Sequence, residues 1–192
     1  MWKLARILCG SIYKILFRTK ITGRENIPKE GGVILCANHT SNHDTVVLGL
    51  ASPRDLNFLA KQELFENKLL GGLLLRLKGI PINREKPGMD SFKKAIGVLK
   101  GGEPLAIFMQ GGRRKEMDTS DYKAGVALFA VKGHANVVPV NIKSTFRLFS
   151  KVRINIGEPI CFEEHWGKKL RTEQLNEIAQ KVMDAIVALE EV

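Results

Sequence analysis

The segment Asn38-His39-Thr40-Ser41-Asn42-His43-Asp44 sets an imidazole five residues before a carboxylate, between the apolar runs Val33–Ala37 and Thr45–Leu50. A short apolar run after turn residues reads as a buried strand, and the polar stretch that follows is rich in residues that start helices, so a helix is expected from about Ser41 or Asn42. If His39 closes the strand and Asp44 lies in the first helical turn, the connection is tight enough to fold the carboxylate onto a ring nitrogen. Asp44 would then fix the tautomer and stabilise the imidazolium. The other nitrogen could take a proton from a hydroxyl, an effect worth ~10²–10⁴ in rate. A carboxylate at this position can equally be a helix cap, and the two residues by themselves leave both readings open.

The elements that must position this pair follow from the rest of the chain. Strands are expected at Val33–Ala37, Arg54–Ala60, Gly79–Arg84, Leu105–Met109, Asn136–Ile142 and Lys151–Ile156. Helical patterns cover Gln62–Lys78, Asp90–Lys100, Ala124–Lys132 and a final stretch from Thr172. Alternating strands and helices indicate an α/β fold: a single layered domain (21–192) with a mixed, mostly parallel sheet flanked by helices. The Gln62–Lys78 helix is expected to break or bend at Gly71-Gly72. The leucines in its second half are read as core, with a greasy channel as the alternative.

Residues 1–20 read as an additional amphipathic helix. At 100° per residue Lys3, Arg6, Gly10, Lys14 and Arg18 share one sector, while Trp2, Leu8, Cys9, Ile12, Ile15 and Leu16 fill the other, with Trp2 and Tyr13 near the border. Such a helix can lie on an anionic membrane with its aromatic rings at headgroup depth, or pack on a core with its basic face solvated.

Thirty Lys and Arg against twenty Asp and Glu give a net charge of +10. That favours anionic company: phosphate esters, acidic carrier proteins or anionic lipid. Nucleic acid ranks last, because aromatics are only 7% and no nucleic-acid module is legible. Three cysteines without CxxC spacing argue against a disulfide framework or zinc cluster and for a reducing compartment. Cys36, within an apolar strand, reads as core, and His43, His134 and His165 as capping or surface residues. The longest uncharged stretch, Gly31–His43, is thirteen residues and half polar, far from the ~20 apolar residues of a membrane span. The N-terminus, interrupted by cations, does not read as a secretory signal.

Four blocks occur in order: Asn38-His39-x4-Asp44, Gly79-Ile80-Pro81-Ile82-Asn83-Arg84, Phe108-Met109-Gln110-Gly111-Gly112-Arg113 and Val138-Pro139-Val140. Their order and spacing resemble the glycerolipid acyltransferase family, notably its bacterial 1-acyl-sn-glycerol-3-phosphate acyltransferases, from about Ile21 to Pro159. The first block, NHxSxxD, is the specific one. The resemblance implies transfer of an acyl group from acyl carrier protein or coenzyme A to the free hydroxyl of lysophosphatidic acid, giving phosphatidic acid. His39 would be the base and Asp44 its orienting partner, with no acyl-enzyme, no metal and no cofactor beyond the thioester co-substrate.

It also implies that Arg84 and Arg113, with Lys61, hold the acceptor phosphate, a task suited to planar guanidiniums that bond two oxygens at once. Gln110, Gly111 and Gly112 would contact the acceptor. The Gly111-Gly112 pair would let backbone N–H groups approach an anion, although such a pair is also an ordinary turn. The third block departs from the family's FPEGTR: Met109, Gln110 and Gly112 replace proline, glutamate and threonine. The second has Pro81 and Asn83 where an apolar residue and aspartate are usual. Gln110 can accept or donate a hydrogen bond but carries no charge. This leaves two alternatives: another lysophospholipid or hydroxyl acceptor, and a non-catalytic anionic-lipid-binding protein. The expected location is the cytoplasmic face of the cell membrane, peripherally attached.

Overall fold

The central runs of this chain are apolar without alternation, as expected of strands covered on both faces. In the computed structural model, which describes residues 2–83, 88–110 and 125–191, those runs form the middle of a seven-stranded sheet. The strands are β1 (Arg18–Thr22), β2 (Val33–Ala37), β3 (Asn57–Lys61), β4 (Gly79–Ile82), β5 (Pro104–Phe108), β6 (Asn136–Lys143) and β7 (Lys151–Ile156), in the order β1-β7-β6-β2-β5-β3-β4. Every described neighbour pair is parallel except β6 and β7. The antiparallel β6–β7 step therefore turns β1 and β7 against the rest of the sheet.

The helices are α1 (Trp2–Leu16), α2 (His43–Ala51), α3 (Lys68–Arg76), α4 (Met89–Lys100), α5 (Gly125–Gly133) and α6 (Thr172–Ala188). Side chains alternate across β2: Val33, Leu35 and Ala37 enter the core under α1, α2 and α3, whereas Ile34 and Cys36 enter the one under α4, α5 and α6. The chain is thus a three-layer α/β domain, as its alternating pattern implied. Burial pushes the Cys36 thiol up, which keeps it protonated. Its Sγ lies 3.6 Å from Met109 Sδ, so this residue is packing.

Beyond α6 the helical cover ends. On β7 Val152 and Ile154 are buried on one face, while on the other Lys151 and Arg153 are exposed and Asn155 is covered, donating to Leu189 O.

Four local expectations change. The helix expected over residues 1–20 ends at Leu16, because Arg18–Thr22 extend and pair with β7 as β1. The strand expected from Arg54 begins at Asn57, because Ser52 and Arg54 form a turn in which the Arg54 guanidinium donates to the carbonyls of Pro28, Gly31 and Gly102. The helix expected to break at Gly71-Gly72 runs through them. Its interruption comes earlier, where a short 3₁₀ turn (Gln62–Phe65) gives way to α3 and the Asn67 side chain caps Leu69 and Leu70 N–H. Gly71 is there for contact: a Cβ would sit 2.6 Å from the Phe65 carbonyl oxygen. The leucines divide as well. Leu74 and Leu77 pack on the core, but Leu69 is 89% exposed, and Leu70, Leu73 and Leu75 also face out. Only the side of α3 around Gly71 and Leu74 meets the sheet.

At the end of the sheet opposite His39, Lys78 Nζ donates to Glu103 Oε2 at 2.6 Å and Asn57 Nδ2 donates to the same oxygen at 2.9 Å. This joins the starts of β3, β4 and β5. The Lys78 hydrogen bond, then that of Asn57, holds the Glu103 carboxyl below the usual carboxylate range. A depressed folded-state pKa contributes stability that is present above the unfolded value and lost as pH falls through the folded one. Glu103→Gln is expected to cost under about 1 kcal/mol at pH 7, since the pair is partly exposed. In urea titrations the gap from the parent chain should close on acidification below the ordinary glutamate range. Gly71→Ala should cost about 1–3 kcal/mol, as overpacking against backbone does, and lower the thermal midpoint.

Candidate active site

β2 and β5 are neighbours whose exits diverge: β2 leads to α2 on one face of the sheet, and β5 leads toward α5 on the other. Diverging exits open a crevice beyond the carboxyl ends of the strands, where ligands bind in open α/β sheets. His39 lies two residues past β2 and Gln110 two past β5, on the two sides of that crevice.

Five residues link β2 to α2, and Asp44 organises them. Its Oδ2 accepts from Thr40 N and Ser41 N, each at 2.7 Å, and lies 3.0 Å from His39 Nδ1. Asp44 is fully buried, and among the described residues its Oδ1 has no hydrogen-bond partner. The choice between cap and dyad disappears, because one oxygen does both. With Oδ2 acting as acceptor toward two N–H groups, the imidazole proton belongs on Nδ1, which leaves the Nε2 lone pair to face away.

Three further contacts hold the ring. Asn38 anchors the loop to β6: its Nδ2 donates to Ile142 O at 2.9 Å and its Oδ1 accepts from Ile142 N at 2.7 Å. His39 N donates to Gln110 Oε1 at 3.4 Å. The imidazole stacks on Phe108, with centroids 4.0 Å apart and planes inclined by 17°. Packed this way, His39 is 6% exposed.

Lys61 ends β3. The strand registers put it level with Asn38 but two strands away, about 10 Å. It pairs with Glu63 at 3.1 Å, both partners exposed, and does not touch the dyad. Arg84, Gly111, Gly112 and Arg113 lie outside the described residues.

Sequence reasoning missed two contributors. Phe108 reads from the sequence as the end of a strand and the start of the third block, not as a contact of His39. Its signal was its place at the end of the run next to β2, where parallel pairing sets it opposite Ala37. Tyr13 was expected at a membrane border and is instead buried, with its hydroxyl 2.5 Å from His43 Nδ1. Burial, then the thiol of Cys9 and the carboxylate of Asp44, push the Tyr13 phenol up, so it stays protonated and donates. His43 in turn stacks on Phe146, centroids 4.9 Å apart. Trp2 packs on Gly49, and Arg6 pairs with Asp55 at 3.1 Å. The docked face of α1 therefore mixes aromatic and basic residues, and Leu4, Ile7, Leu8, Ile12 and Ile15 are left outside.

Residues 18–143 match the family described as Acyltransferase. The chain belongs to the acyltransferase family. This acyltransferase is 33% identical over 162 residues to the 1-acyl-sn-glycerol-3-phosphate acyltransferase of Bacillus subtilis, covering 79% of this chain and 80% of that one. It is 29% identical to the enzyme of the same name from Streptococcus pneumoniae, covering 87% and 64%. The crystal structure of the 1-acyl-sn-glycerophosphate (LPA) acyltransferase PlsC from Thermotoga maritima superposes with a TM-score of 0.73 over 97% of this chain and 80% of that one. At 23% identity that likeness speaks for the fold.

Phe108→Ala removes the surface on which the imidazole lies while leaving its carboxylate. The expected result is a fall of about 10-fold or more in kcat, with the ring free to leave its productive orientation, and a smaller loss for Phe108→Tyr. Steady-state rates of the two variants would check this.

Proposed function

We propose that this acyltransferase moves a fatty acyl group from a thioester, acyl carrier protein or acyl coenzyme A, to the 2-hydroxyl of 1-acylglycerol-3-phosphate, producing phosphatidic acid. The observation that carries the reading is the His39–Asp44 contact at the crevice between β2 and β5. The names of the relatives from Bacillus subtilis and Streptococcus pneumoniae support the same acceptor.

In this reading His39 Nε2 takes the proton of the acceptor hydroxyl as its oxygen attacks the thioester carbonyl. A C–O bond forms, the tetrahedral adduct collapses, and the C–S bond breaks. The proton held on the imidazolium goes to the departing thiolate, which restores the base. Asp44, buried and in contact with Nδ1, stabilises the imidazolium while it lasts. A thioester is already activated, so one positioned base is sufficient and no acyl-enzyme is required. Arg84 and Arg113 are proposed to grip the acceptor phosphate, with Lys61 as an outlying cation and the Gly111-Gly112 backbone beside them.

Gln110 favours a second reading of the acceptor alone. It is buried and bonded to His39 N, where the family pattern has a glutamate. A neutral amide beside the base would tolerate a lysophospholipid or hydroxyl compound other than lysophosphatidic acid.

The exposed leucines and isoleucines of α1 support peripheral attachment to the cytoplasmic face of the membrane. No helix among the described residues is long and apolar enough to cross a bilayer.

Purified protein incubated with lysophosphatidic acid and each thioester, with products identified by mass, should yield phosphatidic acid and free thiol. His39→Ala is expected to reduce turnover by ~10²–10⁴. Asp44→Asn should also act mainly on kcat. Acylation of a neutral acceptor in strong preference to lysophosphatidic acid would move the assignment to the second reading, and undiminished turnover by His39→Ala would remove the proposed base.

A further inference from the structure

β1 and β7 carry cations where a sheet ordinarily avoids them. Arg18 lies directly opposite Lys151, and Lys20 opposite Arg153. In the antiparallel step the same Arg153 faces Lys143 on β6. Side chains in register share a face, so Lys20, Arg153 and Lys143 form a row across three strands, with Arg18 and Lys151 in the row beside it. Val152 and Ile154 point into the core under α1 to α3, which sends the cations to the opposite face. Like charges directly opposite one another destabilise a sheet. Among the described residues Lys143 has Glu190 at 2.9 Å, and no carboxylate is within ion-pair distance of Arg18, Lys20, Lys151 or Arg153. Guarding an exposed edge would explain lysine or arginine on β1. It does not explain cations on the second and third strands.

Arg18, Thr19, Lys20, Lys151, Arg153 and Asn155 line a groove of about 430 Å³, large enough for a lipid headgroup, with Lys143 beside it on β6. A second observation identifies its surroundings. The loop from β6 to β7 exposes Leu148 and Phe149, at 63% and 61%. Phe149 N donates to Leu16 O at 2.7 Å, so this apolar tip abuts the end of α1, where Ile15 is exposed. Apolar side chains flanked by Lys and Arg are the pattern of a surface that enters a bilayer boundary.

We infer that the β6–β7 loop inserts Leu148 and Phe149 into the membrane, and that Arg18, Lys20, Lys151, Arg153 and Lys143 form a headgroup site for anionic phospholipid, separate from the crevice that holds His39. The inference rests on the membrane attachment proposed for α1 and adds to it a second contact with its own selectivity. A basic patch for an acidic carrier protein would have no use for the apolar tip.

The test is sedimentation of the full chain with vesicles of phosphatidylcholine alone or containing 30 mol% phosphatidylglycerol. Lys151→Gln with Arg153→Gln should weaken binding to the anionic vesicles about 5-fold per cation, so roughly 25-fold together, and leave the neutral ones unchanged. Leu148→Ser with Phe149→Ser should weaken binding to both. In each variant turnover of substrates in detergent micelles should stay within 2-fold of the parent, and removing like charges should not lower the thermal midpoint. Parent-like binding of the Lys151/Arg153 variant to anionic vesicles overturns the inference. A raised KM for the acyl carrier protein thioester in that case reassigns the groove to the donor protein. Leu4→Ser with Leu8→Ser on α1 separates the two claims: if this variant alone loses binding, attachment stands and the second site fails, whereas failure of the parent chain itself to sediment with either vesicle removes membrane attachment. Acyl transfer is read independently in the micelle assay.

Discussion

The site depends on a single carboxylate oxygen buried at the start of α2. Asp44 Oδ2 accepts from two backbone N–H groups and meets the imidazole of His39, so it sets both the path of the β2–α2 connection and the orientation of the ring. A loop of five residues has many conformations, and ordering each costs on the order of 1–2 kcal/mol. Hydrogen bonds from N–H groups to an ionised acceptor are among the strong ones and offset part of that cost. Among the described residues Oδ1 has no hydrogen-bond partner in its buried position.

Around this oxygen the fold supplies rigidity. Asn38 ties the loop to β6, Gln110 to the exit of β5, and Phe108 gives the imidazole a flat surface. The contacts come from β6 and from β5 and its exit, and the central strands are sealed between two cores. The ring is therefore held by elements that cannot move separately without opening the sheet. Tyr13 and His43 extend the connection to α1, since the residue beside Asp44 is bonded to the helix that leaves its leucines and isoleucines exposed.

Much of this was legible in the residues. The apolar runs marked β2, β5 and β6, because strands buried on both faces lose alternation. The NHxSxxD spacing set a carboxylate five residues from His39 and left cap and dyad both open; the structure makes them one interaction. Other features were not legible. The position of the break before α3 depends on how closely Gly71 approaches the Phe65 carbonyl, a contact that no periodicity encodes. Trp2 and Tyr13 looked interfacial on a helical wheel, yet they are the residues that dock α1. A wheel separates apolar from basic, but it does not say which side the rest of the protein will cover.

The sequence by itself determined the layered α/β class, the placing of His39 and Asp44 five residues apart at a strand-to-helix junction and the excess of positive charge, since these follow from local spacing, burial pattern and composition. Only the tertiary structure decided that Phe108 lies under His39, that the Asp44 cap and the dyad are one interaction, and that Lys20, Arg153 and Lys143 stand in a row. The physical reason is the same in each case. Such relations join residues far apart in the chain, and they come into being when strands pair in one register, because a slip of one residue would send every side chain to the opposite face.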